Sequence, residues 1–317
     1  MPDPRSTRLF AATVTPFTTD GHLDLDSFAR HVDRLVREGV DGIVVAGTTG
    51  ESGGLAPEER TALLWAAVDT ADGRAAVVAG VGEHDTTTGI TLAVAAARAG
   101  ADGVLVAAPA ASRPSQAGLL AHVRALADAT DVPVMLYDNP RRFGVGFELP
   151  TLLRAAEHPN VWAVKDATEN PHRAAELMGL SDLAYYAGSD AAAMVLTAGG
   201  QGVVGVGVNV EPALWRAYVD ALLDGELDAA DDFARRLAPL DHALHHHVPP
   251  AVATKVVLRG LGLLPTARVR LPLVGPVPEE AAAIRRDLEV YEGLPDFRTG
   301  LARLDHPDAR GGALRLL

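Results

Sequence analysis

The chain has 317 residues, 48% apolar and 22% charged, an ordinary globular balance with room for one large core or two domains. A formal net charge of −13 argues against a nucleic-acid partner, which needs clustered cations, and the absence of cysteine removes disulfides, thiol nucleophiles and cysteine-ligated metals. Residues 1–10 lack the apolar stretch of a signal peptide and no run is long enough to span a bilayer, so the expectation is a soluble, cytoplasmic protein with no membrane partner.

In chain order, short valine-rich runs predict strands at 10–15, 42–46, 76–80, 103–107, 134–137, 161–164, 184–187 and 202–206. Such near-continuous apolar runs suit strands covered on both faces, as in a parallel sheet. Between them, amphipathic stretches predict helices at 26–38, 57–71, 86–99, 115–129, 149–156, 171–178 and 191–198. Pro57 with Glu58 and Glu59 makes a good first turn, because proline loses nothing there and acids complement the helix dipole. Gly39 and Gly100 follow their helices where a left-handed cap is wanted.

Strands alternating with helices eight times favour a closed (β/α)8 TIM barrel over an open doubly wound sheet. The barrel is expected over 1–224, with a C-terminal helical extension over 225–294 carrying helices at 227–247, 252–261 and 278–291, after one at 212–223. The tail, 295–317, reads as poorly ordered.

Active groups of such a barrel sit at the carboxyl ends of its strands. Those ends carry Thr48, Thr49 and Glu51 after strand two, Tyr137 on strand five, Lys165 on strand six, and Gly188 with Asp190 after strand seven. Lys165 stands out for a second reason: the 28 basic residues include only two lysines, Lys165 and Lys255. A lysine retained in an arginine-rich chain suits a task that requires losing a proton. At the end of an apolar strand it is desolvated, which lowers its pKa and raises the nucleophilic fraction of the amine. Tyr137, on the neighbouring strand, is placed to move protons. Taken singly, Lys165 paired with Asp166 and Tyr137 as core packing are the plainer readings.

The segments Gly47-Thr-Thr-Gly-Glu51, Tyr137-Asp-Asn-Pro-Arg-Arg142 and Val164-Lys-Asp-Ala-Thr168 closely resemble the dihydrodipicolinate synthase/N-acetylneuraminate lyase family, and the likeness runs over about residues 9–275. It implies that Lys165 forms a Schiff base with a 2-oxo acid, that Tyr137 transfers protons with Thr48, and that Thr48 and Thr49 hold the substrate carboxylate. It further implies that Arg142 binds the carboxylate of a second substrate and that Gly188 and Val204 line the pyruvate pocket. No cofactor and no metal is needed, because the iminium is itself the electron sink. A homo-oligomer, dimer or tetramer, is implied as well.

The chain departs from the synthase pattern where Ala110 and Ala111 replace a tyrosine pair after Pro109, and where Phe143 replaces a threonine. Losing one proton path costs roughly 10²–10⁴ in rate. The sequence therefore places a Schiff-base lyase or aldolase acting on pyruvate or another 2-oxo acid, such as a sugar acid, first. Dihydrodipicolinate synthesis from pyruvate and aspartate semialdehyde is the alternative, and a non-catalytic 2-oxo-acid binder the third. The histidines 242, 245, 246 and 247 read as an exposed helix end without a third metal ligand, set apart from the expected site by their place beyond the barrel. Arg141 reads as a solvated neighbour, and Lys255 as a structural residue opening a helix.

Overall fold

Every strand residue except Ala184 is buried, which is why each run reads as continuously apolar. The computed structural model describes residues 3–82, 85–110, 112–188 and 192–291. Among the sequence expectations, those on Ala111, Asp190 and the tail from Pro295 lie outside the described residues.

The first half runs β1 (Leu9–Ala12), α1 (Leu25–Arg37), β2 (Gly42–Val45), α2 (Pro57–Ala71), β3 (Ala76–Gly80), α3 (Thr86–Arg98), β4 (Gly103–Ala107) and α4 (Gln116–Asp128). The second runs β5 (Val134–Asp138), α5 (Pro140–Phe143), α6 (Leu149–Ala156), β6 (Val161–Asp166), α7 (Pro171–Leu180), β7 (Ala184–Ala187), α8 (Ala192–Thr197) and β8 (Gly202–Gly205). Then follow α9 (Pro212–Leu223), α10 (Leu227–His245), α11 (Pro250–Gly260) and α12 (Pro278–Glu289). All eight strands are parallel neighbours in chain order, and β8 closes on β1 through Phe10↔Val204, giving a (β/α)8 TIM barrel.

Local chemistry accounts for the helix starts. Asp24, Asp85, Ser115 and Asn170 each accept a backbone N–H of the first turn with their side chains. Pro57 and Pro278 sit at first helical positions, and Glu59 and Glu280 accept the N–H of Ala56 and Val277 at 3.0 and 2.9 Å. The four-residue α5 is not anticipated by periodicity; Asn139 caps it by accepting from Arg142 N at 3.1 Å.

Inside the barrel, Phe10 packs edge-on against Tyr186 at 5.6 Å, and Trp162 against Tyr186 at 5.5 Å. Gly42 makes room for this cluster, since a Cβ there would lie 2.2 Å from the Phe10 ring. A second core, including Leu240, Leu244, Val256, Leu258, Ile284 and Leu288, joins α10, α11 and α12 to Val14 and Val210. That packing brings the α10–α11 turn back over the strand ends. No described helix is long and apolar enough to cross a membrane.

Candidate active site

One irregularity in the β5–β6 ladder decides the centre of the site. Pairing starts at Val134↔Val161 but resumes at Met135↔Ala163, so Trp162 is an extra residue on β6. An unbroken ladder would set Tyr137 opposite Val164; the shift sets it opposite Lys165. The Lys165 Nζ lies 4.3 Å from the Tyr137 ring centroid. Phe143 stands edge-on to the other side of the pair at 5.3 Å from Tyr137, and Asn139 Nδ2 donates to the phenol oxygen at 3.3 Å.

Asp166 does not neutralise Lys165. Alternation along the strands separates Asp138 and Asp166 from Tyr137 and Lys165, and both carboxylates meet Arg173 of α7. Asp166 also accepts from the Tyr185 hydroxyl and from Thr168 N. Lys165 is 5% exposed and has no ion-pair partner among the described residues. Its pKa is lowered, first by burial and then by the Arg142 cation, with Tyr137 opposing.

The β2–α2 loop supplies the facing wall. Ala46 and Glu51 both take left-handed backbone at φ 52° and 57°, and residues without that preference cost about 1–3 kcal/mol there. Gly50 permits the turn, since a Cβ would meet Thr13 O at 3.1 Å and the Ala46 backbone at 3.2 Å. The loop is held by Thr15 Oγ1 donating to Gly50 O at 2.7 Å, and by Glu51, whose carboxylate meets Lys255 Nζ and Arg270 N. Within it, the Thr48 hydroxyl is buried and finds no hydrogen-bond partner among the described residues.

Thr48, Thr49, Tyr137, Arg142, Lys165 and Gly188 line one cavity of about 720 Å³. Gly188 closes against β6, where its N–H donates to Asp166 O at 2.7 Å and a Cβ would lie 2.9 Å from the same oxygen. Val204 does not line this cavity; it is fully buried within β8, and Val206, beyond the strand's end, forms the wall. Arg141 is exposed, as its sequence setting suggests, but it pairs with Glu169 at 2.6 Å on the rim, and both line the cavity.

Two expectations are corrected. His245 and His246 line the same cavity, together with Pro250, so the histidine run is not remote from the strand ends. The reason is tertiary: α10 returns its C-terminal end to the barrel mouth, and nothing local to residues 242–247 encodes that. Lys255 lies in the interior of α11 instead of opening it, because the helix begins at Pro250, two residues earlier than expected. Asn139, Ala167 and Glu169, also in the wall, follow strands five and six directly, so their position past a strand end was an available signal.

The chain has counterparts among known proteins. Residues 5–290 match the model of the dihydrodipicolinate synthetase family. The chain belongs to this family. The 4-hydroxy-tetrahydrodipicolinate synthase of Acidothermus cellulolyticus is 44% identical over 92% of this chain and 94% of its own length. Synthase 1 of Streptomyces coelicolor is 46% identical over 84% and 88%. Among solved structures, the dihydrodipicolinate synthase of Cyanidioschyzon merolae with lysine bound superposes with a TM-score of 0.88 at 32% identity, covering 92% of this chain and 99% of that one. As a family member the chain is a pyruvate-dependent class I enzyme, a lyase or aldolase working through a lysine Schiff base. The reading as a non-catalytic binder gives way to it.

Proposed function

We propose that the chain is a 4-hydroxy-tetrahydrodipicolinate synthase, condensing pyruvate with aspartate semialdehyde at Lys165. The observation that carries this reading is a buried, carboxylate-free lysine in register with Tyr137 on one cavity wall. The named activity of the 44% and 46% identical relatives favours the synthase over the sugar-acid aldolase that the sequence placed first.

In this reading the neutral Lys165 amine attacks the pyruvate ketone carbon, and the carbinolamine loses water to become an iminium. A proton then leaves the methyl carbon, and the enamine attacks the aldehyde of the second substrate. That substrate's amino group adds to the imine carbon, closing the ring and releasing the Lys165 amine. Tyr137 and Thr48 pass protons to and from the oxygen that departs. The unpartnered Thr48 hydroxyl and the loop amides receive the pyruvate carboxylate, a neutral anion site suited to a chain of net charge −13. Arg142 takes the carboxylate of the second substrate. Neither a metal nor an organic cofactor enters these steps.

A second reading, an aldolase for another 2-oxo acid, draws on Ala110 and Ala111 in place of the synthase tyrosines. Ala110 packs half-buried against the barrel core and offers no proton path. Borohydride trapping with pyruvate, followed by peptide mapping, is expected to place a three-carbon adduct on Lys165; an unmodified Lys165 would overturn both readings. Turnover of aspartate semialdehyde beside a panel of 2-oxo sugar acids then separates them. The reading includes a homo-oligomer, which sedimentation checks; a monomeric synthase variant is among the similar structures, with a TM-score of 0.87 at 31% identity.

A further inference from the structure

The end of α10 carries two pairs of histidines with different surroundings. His245 and His246 line the catalytic cavity, and their Nδ1 atoms lie 2.9 and 3.2 Å from the carbonyl oxygens of Asp241 and His242. His242 and His247 instead converge on α12. His242 Nδ1 lies 2.7 Å from Asp287 Oδ2, and His247 Nε2 lies 2.6 Å from the same oxygen. The three atoms fall within 4.8 Å of one another, the one such grouping among the described residues.

Two imidazole nitrogens converging on one carboxylate oxygen bring together the nitrogen and oxygen donors that a divalent cation takes. Zinc takes nitrogen at about 2.0–2.1 Å and carboxylate oxygen at about 2.0–2.2 Å, which sets tetrahedral ligands roughly 3.3–3.4 Å apart, so each imidazole nitrogen must draw back from the carboxylate oxygen by about 0.7 Å. Side-chain exposures of 52% for His242, 21% for His247 and 24% for Asp287 leave the group open to solvent and its fourth position free for water. Two imidazoles and one carboxylate select a borderline ion over magnesium or calcium, which prefer all-oxygen shells.

We propose that His242, His247 and Asp287 form a binding site for one zinc-class divalent cation per chain, distinct from the catalytic cavity. The spacing that matters is therefore not the helical one between His242 and His246, whose rings merely stack at 4.1 Å. The third ligand comes from α12, 40 residues after His247. An ion there ties α10 to α12 and fixes the segment whose neighbouring residues, His245 and His246, form part of the cavity wall.

The test is metal binding to the full chain after chelator dialysis. Cobalt is followed by its visible ligand-field bands, and zinc by competition with a chromogenic chelator. One equivalent per chain is expected, and Asp287→Asn, His242→Gln and His247→Ala should each weaken zinc at least about tenfold. His245→Ala and His246→Ala should leave it within about threefold of the parent, as their side chains lie outside the ligand set. Circular dichroism confirms that each variant is folded. Absence of binding by the parent, an Asp287→Asn variant that binds as well, or equal losses across all the histidine variants would overturn the site. Since no turnover is measured, such a failure leaves the reading of Lys165 untouched.

Discussion

Tyr137 and Lys165 face each other across β5 and β6 because β6 carries one residue more than β5 between their first and second paired positions. A one-residue slip turns side chains to the opposite face of a sheet, so the insertion of Trp162 decides which side chains share the site. The amine then rests against the face of the phenol ring, 4.3 Å from its centre.

With the phenol in that place, Tyr137→Phe is expected to lower kcat by about 10²–10⁴ while the KM for pyruvate moves only a few fold. The ring remains to pack against Phe143, so folding should persist. Steady-state kinetics with thermal melts checks this; a kcat within threefold of the parent would remove Tyr137 from proton transfer.

Arg142, which the proposed synthase reading assigns to the second substrate, also bears on Lys165. Burial, against the opposing pull of Tyr137 and with a smaller push from the Arg142 cation, holds the lysine pKa below its ordinary 10.5, so that the neutral amine forms at lower pH. Replacing the cation by Arg142→Gln is expected to raise that pKa. The pH profile of borohydride trapping should move to higher pH, and the KM for the second substrate should rise. An unmoved profile would show that the guanidinium does not act on the amine.

The other lysine is the counter-example. Lys255 is fully buried and paired with Glu51, and its ammonium lies 4.1 Å from the Phe17 ring centre. Burial lowers its pKa to about 8, against the pull of Glu51. Lys255→Met strands a carboxylate in the interior and is expected to cost about 3–5 kcal/mol in urea unfolding. Adding Glu51→Gln should recover part of that loss. Because Glu51 anchors the loop of Thr48 and Thr49, the single variant should also raise the KM for pyruvate. A loss under 1 kcal/mol, on the order of a surface ion pair, would show that the pair is not structural.

His31 sets a stability limit in acid. Burial, then the neighbouring Arg34 cation, lower its pKa from 6.5 to about 4, although a 3.0 Å contact with Asn209 Oδ1 opposes them. Between those values the unfolded chain binds a proton that the folded chain refuses, so stability falls as pH drops from 6.5 toward 4. The contribution is roughly 3 kcal/mol, at about 1.4 kcal/mol per pH unit. Urea unfolding across that window measures it, and His31→Gln should make the slope correspondingly shallower. An identical slope in the variant would assign the loss to other groups.

The amino-acid order by itself determined the eight strands, most helix limits and the place of Lys165, one of two lysines, at the end of an apolar strand. Those follow from local causes: apolar runs that must be covered on both faces, side chains that cap their own helices, and a residue type used only twice. It also placed Thr48, Thr49, Tyr137, Arg142 and Gly188 at strand ends, where the cavity lies. Three things were decided only in three dimensions. The register of Tyr137 on Lys165 depends on a bulge at Trp162, whose ring packs edge-on against Tyr186 of the next strand, a contact that no local pattern encodes. Val206 takes the wall that Val204 was expected to take, since depth along a strand depends on how the whole barrel is staggered. The partnership of Lys255 with Glu51, 204 residues away, and the arrival of His245 and His246 at the cavity come from the docking of α10–α12 on the barrel. Periodicity reports which face of an element is buried; it carries no information about which distant element covers that face.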